Sequence, residues 1–247
     1  MTYQRNMPRV IRSYFDGSLN NAGQEFTLSS DESYHLQKVL RKEVGDTLEI
    51  LDGMGGVGKA VCIEKNDKNF RVRIDKIETK PLPIPLIRML VSLTKGGRWE
   101  NIIKPLTELG ANRITPLLTD RTEVRKNENF NNRKLEKWKK LAIEACKQSG
   151  NLWLPKIDPP ELLSDYLCEP KKSSYMASLA GGEMFFKLDQ GSSNIDILIG
   201  PEGGWTPQEE ELAGQFGVSC FSMGNRTLRA ETAAVSSLAV AQSKFLS

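Results

Sequence analysis

Two segments near the C-terminus, Leu198–Trp205 and Met223–Ala234, restrict the fold more than any other part of the chain. The first opens on an apolar run (Ile195, Ile197, Leu198, Ile199) and breaks into Gly200-Pro-Glu-Gly-Gly204. This pattern predicts a buried strand that ends in a loop whose backbone a ligand can approach closely. Thr206-Pro-Gln-Glu209 then has the spacing of a capping box, with Pro207 at the first helical position and acidic residues in the first turn. Strand, glycine loop and helix in that order describe a ligand site at the carboxyl end of a sheet strand. The second segment repeats the order: Val218–Ser222 reads as a short strand, Met223-Gly-Asn225 as its turn, and Arg229 onward as an alanine-rich helix reaching Phe245. Arg226, Arg229 and Glu231 crowd charge where strand gives way to helix. Taken singly, tight connections and a surface ion pair between Arg229 and Glu231 would give the same pattern. Two such loops about twenty residues apart favour a site.

The rest of the chain divides by pattern. From the N-terminus to Ile77, short β-like runs (Thr47–Leu51, Ala60–Ile63, Phe70–Ile74) alternate with turns at the spacing of a small barrel. Residues 78–85 carry Pro81, Pro83 and Pro85, which predicts a stiff linker. Beyond it, Leu86–Leu93 reads as a buried strand and Trp99–Leu109 as a helix ended by Gly110. Strand and helix patterns then alternate to the C-terminus, as in a mostly parallel α/β sheet.

Several function classes are disfavoured. No segment approaches membrane-spanning length, and no apolar run follows the N-terminal arginines, so a cytoplasmic protein without membrane contact is expected. Cys62, Cys146, Cys168 and Cys220 lack paired metal-ligand spacing, so reduced thiols and no metal are expected. His35 is the one histidine, which excludes any mechanism needing a histidine pair; beside Leu36, Val39 and Leu40 it reads as a packed or capping residue. Gly53-Met-Gly-Gly-Val-Gly-Lys59 imitates a phosphate-binding loop, but Ala60 stands where a Ser or Thr would hold magnesium and a strand follows, so a glycine-rich hairpin is predicted. Charge is uneven: Lys95–Lys147 holds 13 basic against 7 acidic residues. Arg121, Arg125, Lys126, Arg133, Lys134, Lys137, Lys139, Lys140 and Lys147 therefore form either a phosphate-binding face or a solvated helix surface.

The two C-terminal segments closely resemble the signature of the RsmE family of ribosomal RNA methyltransferases, in the SPOUT superfamily. Five further stretches follow in the family's order: His35–Arg41 with Val44-Gly45-Asp46, Thr94–Arg98, Thr107–Ala111, Asp120–Thr122 and Glu144–Gly150. The resemblance covers nearly the whole chain. It implies an α/β protein with a small N-terminal PUA-like β-barrel for RNA binding (1–77), the linker 78–85, and a C-terminal SPOUT α/β domain with a trefoil knot (86–247). It also implies S-adenosylmethionine (SAM) as methyl donor, N3 of a uridine in 16S rRNA of the small ribosomal subunit as acceptor, and a homodimer. The small residues of Ala230–Phe245 would serve a dimer interface, with packing inside one subunit as the other reading. Asn151 stands where the family usually has arginine, and an amide cannot supply that charge or fork. Pro105 interrupts a helix that members usually continue.

The implied chemistry needs no metal and no covalent enzyme intermediate, so orientation and electrostatics must carry it. By the resemblance, the cofactor sits among Leu179, Ala180 and Gly181, then Ile199, Gly200, Gly203 and Gly204, and then Met223, Gly224, Asn225 and Leu228. Arg229 would stabilise the uracil anion, Glu231 would orient Arg229 or assist proton removal, and Glu202 is a second candidate base. Arg41, Lys42, Arg98, Arg121 and Arg125 are the expected RNA contacts, with the target base flipped from its stack. Alternatives from other classes are another SPOUT-type RNA methyltransferase, a non-catalytic RNA-binding module, which would not bind SAM, and a small-molecule nucleotide enzyme, which would have no use for the basic segment.

Overall fold

The computed structural model describes residues 10–94, 99–122, 131–179, 181, 183–184 and 192–245. Arg98, Arg125, Lys126, Ala180 and Gly182 lie outside them. The chain forms two units, one made of Met1–Leu82 with Cys146–Trp153, the other of Pro83–Ala145 with Leu154–Ser247.

The first unit is built on a five-stranded sheet of β1 (Arg12–Tyr14), β2 (Glu25–Thr27), β3 (Thr47–Leu51), β4 (Gly56–Lys65) and β5 (Phe70–Thr79), in the order β1-β3-β4-β5-β2. Phe70, Val72 and Ile74 are fully buried while Arg71, Arg73 and Asp75, alternating with them, are exposed, the period-two alternation of a half-buried strand. They pack with Leu36 and Ile50 in one core. Helix α1 (Ser30–Tyr34) starts at a Ser29 cap and runs into a π-helical turn, His35–Val39. His35 is the C-cap of α1, the capping reading; Leu36 packs inward, but Val39 and Leu40 are exposed.

The glycine-rich stretch at Gly53 is a hairpin turn between β3 and β4, as its sequence context required. The Asp52 carboxylate accepts the Met54 and Gly56 amides at 2.8 and 2.9 Å. Gly55 sits at φ +94°, and a Cβ there would lie 2.5 Å from the Trp153 ring. No helix follows to aim its N-terminus at a phosphate.

Lys147 belongs neither to a phosphate-binding face nor to a solvated helix surface. It is buried, and its ammonium lies 2.6 Å from a Glu32 oxygen, while the Ser13 hydroxyl donates to the other oxygen of that carboxylate. The Arg12 guanidinium pairs with Glu49 at 3.0 Å and donates to the Lys147 carbonyl. Lys147→Met is expected to leave a buried carboxylate without its counter-charge and to destabilise the protein by about 3–5 kcal/mol. Chemical denaturation of the variant checks this; a loss below about 1 kcal/mol, the range of exposed pairs, would remove the role. Asn151 closes a turn in this segment, its side-chain oxygen accepting the Trp153 amide at 3.0 Å.

The second unit holds an eight-stranded parallel sheet, as the alternating pattern predicted. Its strands are β6 (Leu86–Ser92), β7 (Arg113–Leu118), β8 (Lys156–Ile157), β9 (Glu161–Leu162), β10 (Ser174–Ala177), β11 (Glu183–Met184), β12 (Asn194–Ile199) and β13 (Ser219–Ser222). The order is β11-β13-β10-β12-β6-β7-β8, with β9 also on β7. Along β6, Ile87, Met89 and Val91 join a core with residues of α2 (Glu100–Glu108), α3 (Asn132–Ser149) and α6 (Ala230–Phe245). Leu90 faces the opposite core, with α4 (Leu163–Tyr166) and α5 (Pro207–Gln215). Helix α2 runs through Pro105 and ends before Gly110 at φ +83°. The amino ends of the strands are braced by charge: Arg113 and Thr115 both reach Asp158, at 2.5 and 2.6 Å. Burial works to raise the Asp158 pKa, but these bonds and the Arg88 charge outweigh it and hold the pKa down. Among the described residues no helix is long and apolar enough to cross a membrane.

Candidate functional site

Three neighbouring strands, β13, β10 and β12, deliver three loops to the carboxyl edge of the sheet. The loop after β12 is the glycine segment, and it passes into α5 through the capping box read from sequence. The Thr206 hydroxyl accepts the Glu209 amide at 3.1 Å, and Glu209 accepts the Thr206 amide at 2.7 Å. Gly204 at φ +69° supplies the left-handed turn, and Gly224 at φ +107° does the same after β13. Trp205 ties the first loop to the end of β10, its indole donating to the Ala177 carbonyl at 2.7 Å.

These loops enclose a cavity of about 380 Å³, within the size range of small-molecule sites. Of the expected cofactor residues, Leu179, Ile199, Gly200, Gly203, Gly204, Met223, Gly224 and Leu228 line it, as does Glu202. Asn225 and Gly181 are not on its wall, and neither are Arg229 and Glu231. Arg229 is exposed, Glu231 is half-buried, and no ion pair joins them among the described residues, so the surface pair considered from sequence is absent. Arg226 lines the cavity in their place, beside Thr227.

Arg121 also lines the cavity. Its guanidinium donates to the Gly203 and Trp205 carbonyls at 2.7 and 3.0 Å, so much of its hydrogen-bonding capacity serves the glycine loop and not a phosphate. The neighbouring Asp120 amide donates to Glu209 at 2.9 Å. The loop after β7 is thereby stitched to the loop after β12.

Sequence reasoning missed Ser178 and Glu210, both on the cavity wall and joined by a 2.5 Å hydrogen bond from hydroxyl to carboxylate. Burial, and then the Glu210 charge, push the nearby Cys220 thiol up. No cluster of three or more metal-ligating side chains occurs among the described residues. The cavity fits SAM in kind: glycine backbone and apolar surface from Ile199, Leu179, Met223 and Leu228 suit an adenine, and charged side chains suit the polar remainder.

In the N-terminal unit, between the π-helical turn and β3, Arg41 is exposed at φ +53°, and Lys42 lies 3.6 Å from Asp46. On α3, Arg133, Lys137 and Lys140 are exposed, Lys137 pairs with Glu100 at 2.6 Å, and Lys134 lies over the Trp138 ring.

Comparison with known proteins defines the class: residues 80–242 match the RNA methyltransferase domain family, and residues 28–75 match the PUA domain of RNA methyltransferases. A Synechocystis protein, ribosomal RNA small subunit methyltransferase E, is 36% identical over 226 residues, covering 86% of this chain and 71% of its own. The Bacillus subtilis protein of the same name is 31% identical, covering 84% and 86%. The Neisseria gonorrhoeae enzyme of that name, crystallised with S-adenosyl methionine, is 28% identical with a TM-score of 0.85, covering 95% of this chain and 98% of its own. The chain belongs to the ribosomal RNA small subunit methyltransferase E family.

Proposed function

We propose that this chain is a SAM-dependent methyltransferase acting on N3 of a uridine in 16S rRNA, in the cytoplasm where ribosomes are assembled. The observation that carries the reading is the three-loop cavity at the carboxyl edge of the sheet, lined by most of the residues the family resemblance implies. The N-terminal unit serves as the PUA-like RNA-binding domain, with Arg41 and Lys42 as phosphate contacts, and the segment around 78–85 links it to the SPOUT domain. The trefoil knot is supported by the cavity loops, which follow neighbouring parallel strands out of sequence order. A homodimer through α6 is supported by its half-buried small residues Ala233, Ser236 and Ala239, which would let a second helix approach closely. Sedimentation equilibrium showing only monomer would remove that part.

When bound, SAM supplies a methyl group activated by a sulfonium. The protein must hold the uracil in line, exclude water and favour loss of the N3 proton. Arg226 on the cavity wall is the cation best placed to stabilise the uracil anion. Arg229, exposed at the start of α6, is proposed to complete this stabilisation from the solvent side, with Glu231 and Glu202 as candidate proton acceptors.

Incubation with methyl-labelled SAM and either free 16S rRNA or small subunits lacking the modification tests the reading. Label at N3 of one uridine in either substrate is the expected result. Label on another nucleoside would assign a different SPOUT-type activity, and failure to bind SAM would leave the RNA-binding module.

A further inference from the structure

We propose that Glu210, held by Ser178, is the acceptor for the ribose hydroxyls of the bound cofactor; this rests on the reading of the three-loop cavity as the SAM site. Glu209 and Glu210 stand side by side in the first turn of α5, yet only Glu209 is consumed by the helix cap and the Asp120 amide. The Glu210 carboxylate reaches the cavity wall. Its Oε1 takes the Ser178 hydroxyl at 2.5 Å, and Ser178 is only 7% exposed, which fixes the carboxylate against the end of β10.

An ionised carboxylate only accepts hydrogen bonds, so a ligand beside it must bring donors or positive charge. SAM offers both, at opposite ends. Its reacting methyl must meet RNA and therefore faces the mouth, where the charged lining residues Arg226 and Glu202 are exposed. Glu210 is half-buried with buried Ser178 behind it, so it faces the nucleoside end, whose paired hydroxyls suit a carboxylate. Acidic side chains take ribose hydroxyls in the same way at the strand ends of dinucleotide-binding sheets.

Calorimetric titration of wild type, Glu210→Ala and Glu210→Gln with SAM, S-adenosylhomocysteine, 5′-methylthioadenosine and its 2′-deoxy and 3′-deoxy forms tests the assignment. Wild type is expected to bind methylthioadenosine roughly tenfold more tightly than at least one deoxy form, as for a hydrogen bond to a charged group. Glu210→Ala is expected to erase that difference by weakening the parent compound alone, with Glu210→Gln, which keeps an acceptor oxygen, in between. Equal loss for parent and deoxy forms would overturn the proposal. A selective loss for SAM over S-adenosylhomocysteine would also overturn it, by placing the carboxylate at the sulfonium. If wild type binds none of these compounds, the cofactor site itself is misplaced, a failure distinct from that of Glu210.

Discussion

Gly200→Val is expected to weaken SAM binding by roughly a hundredfold, about 2.8 kcal/mol. A Cβ at Gly200 would lie 3.0 Å from Cε2 and 3.2 Å from Nε1 of the Trp205 indole, and the two γ-methyls of valine would crowd it further. That indole is buried, and its N–H holds the loop to the Ala177 carbonyl, so displacing it separates two of the three loops that form the cavity. Overpacking of this kind also costs about 1–3 kcal/mol of stability, which circular dichroism and thermal unfolding would register as a lowered Tm in a folded protein. Gly214→Ala, in α5 and off the cavity wall, is the control. Nothing lies within 4 Å of its Cβ, and it has no left-handed backbone to strain. Affinity in Gly200→Val within a few-fold of wild type would show that the Trp205 tether does not shape the cofactor site.

Arg226→Ala is expected to lower kcat by about 10²–10³-fold, the scale of removing one preorganised charge-stabilising group, with a much smaller change in SAM affinity. Arg229→Ala should cost less, because that side chain is off the cavity wall. Single-turnover methylation at saturating RNA separates the chemical step from binding. The opposite ranking would return the principal role to Arg229, the choice the sequence alone favours.

Much of this architecture is legible because it rests on local rules. Apolar runs such as Ile195–Ile199 announce buried strands, and the Thr206 to Glu209 spacing gives a cap that the structure reproduces bond for bond. Gly203 and Gly204 are adjacent and identical in sequence, yet only Gly204 adopts positive φ, because the entry into α5, and not composition, sets the turn geometry. Glu210 is hidden for a similar reason: beside Glu209 and Glu211 it looks like one more acidic residue suiting the helix dipole, and which of them turns inward depends on the neighbouring strand. Lys147 reads as part of a basic face since a run of cations does not reveal which member finds a distant carboxylate; Glu32 lies 115 residues away. Arg121 looks like a phosphate ligand, and nothing local announces that its partners are carbonyls some eighty residues downstream.

The bridge from Arg121 and Asp120 to the Gly203–Glu209 region makes two connections of the sheet share one fate. Any solute that rearranges the β7 connection must stretch or release hydrogen bonds on the connection that lines the cavity, and the reverse holds with equal energy. The order in which two ligands arrive then leaves the total free energy unchanged while altering the affinity each one meets. A ligand of either connection is therefore felt at the other through these few bonds.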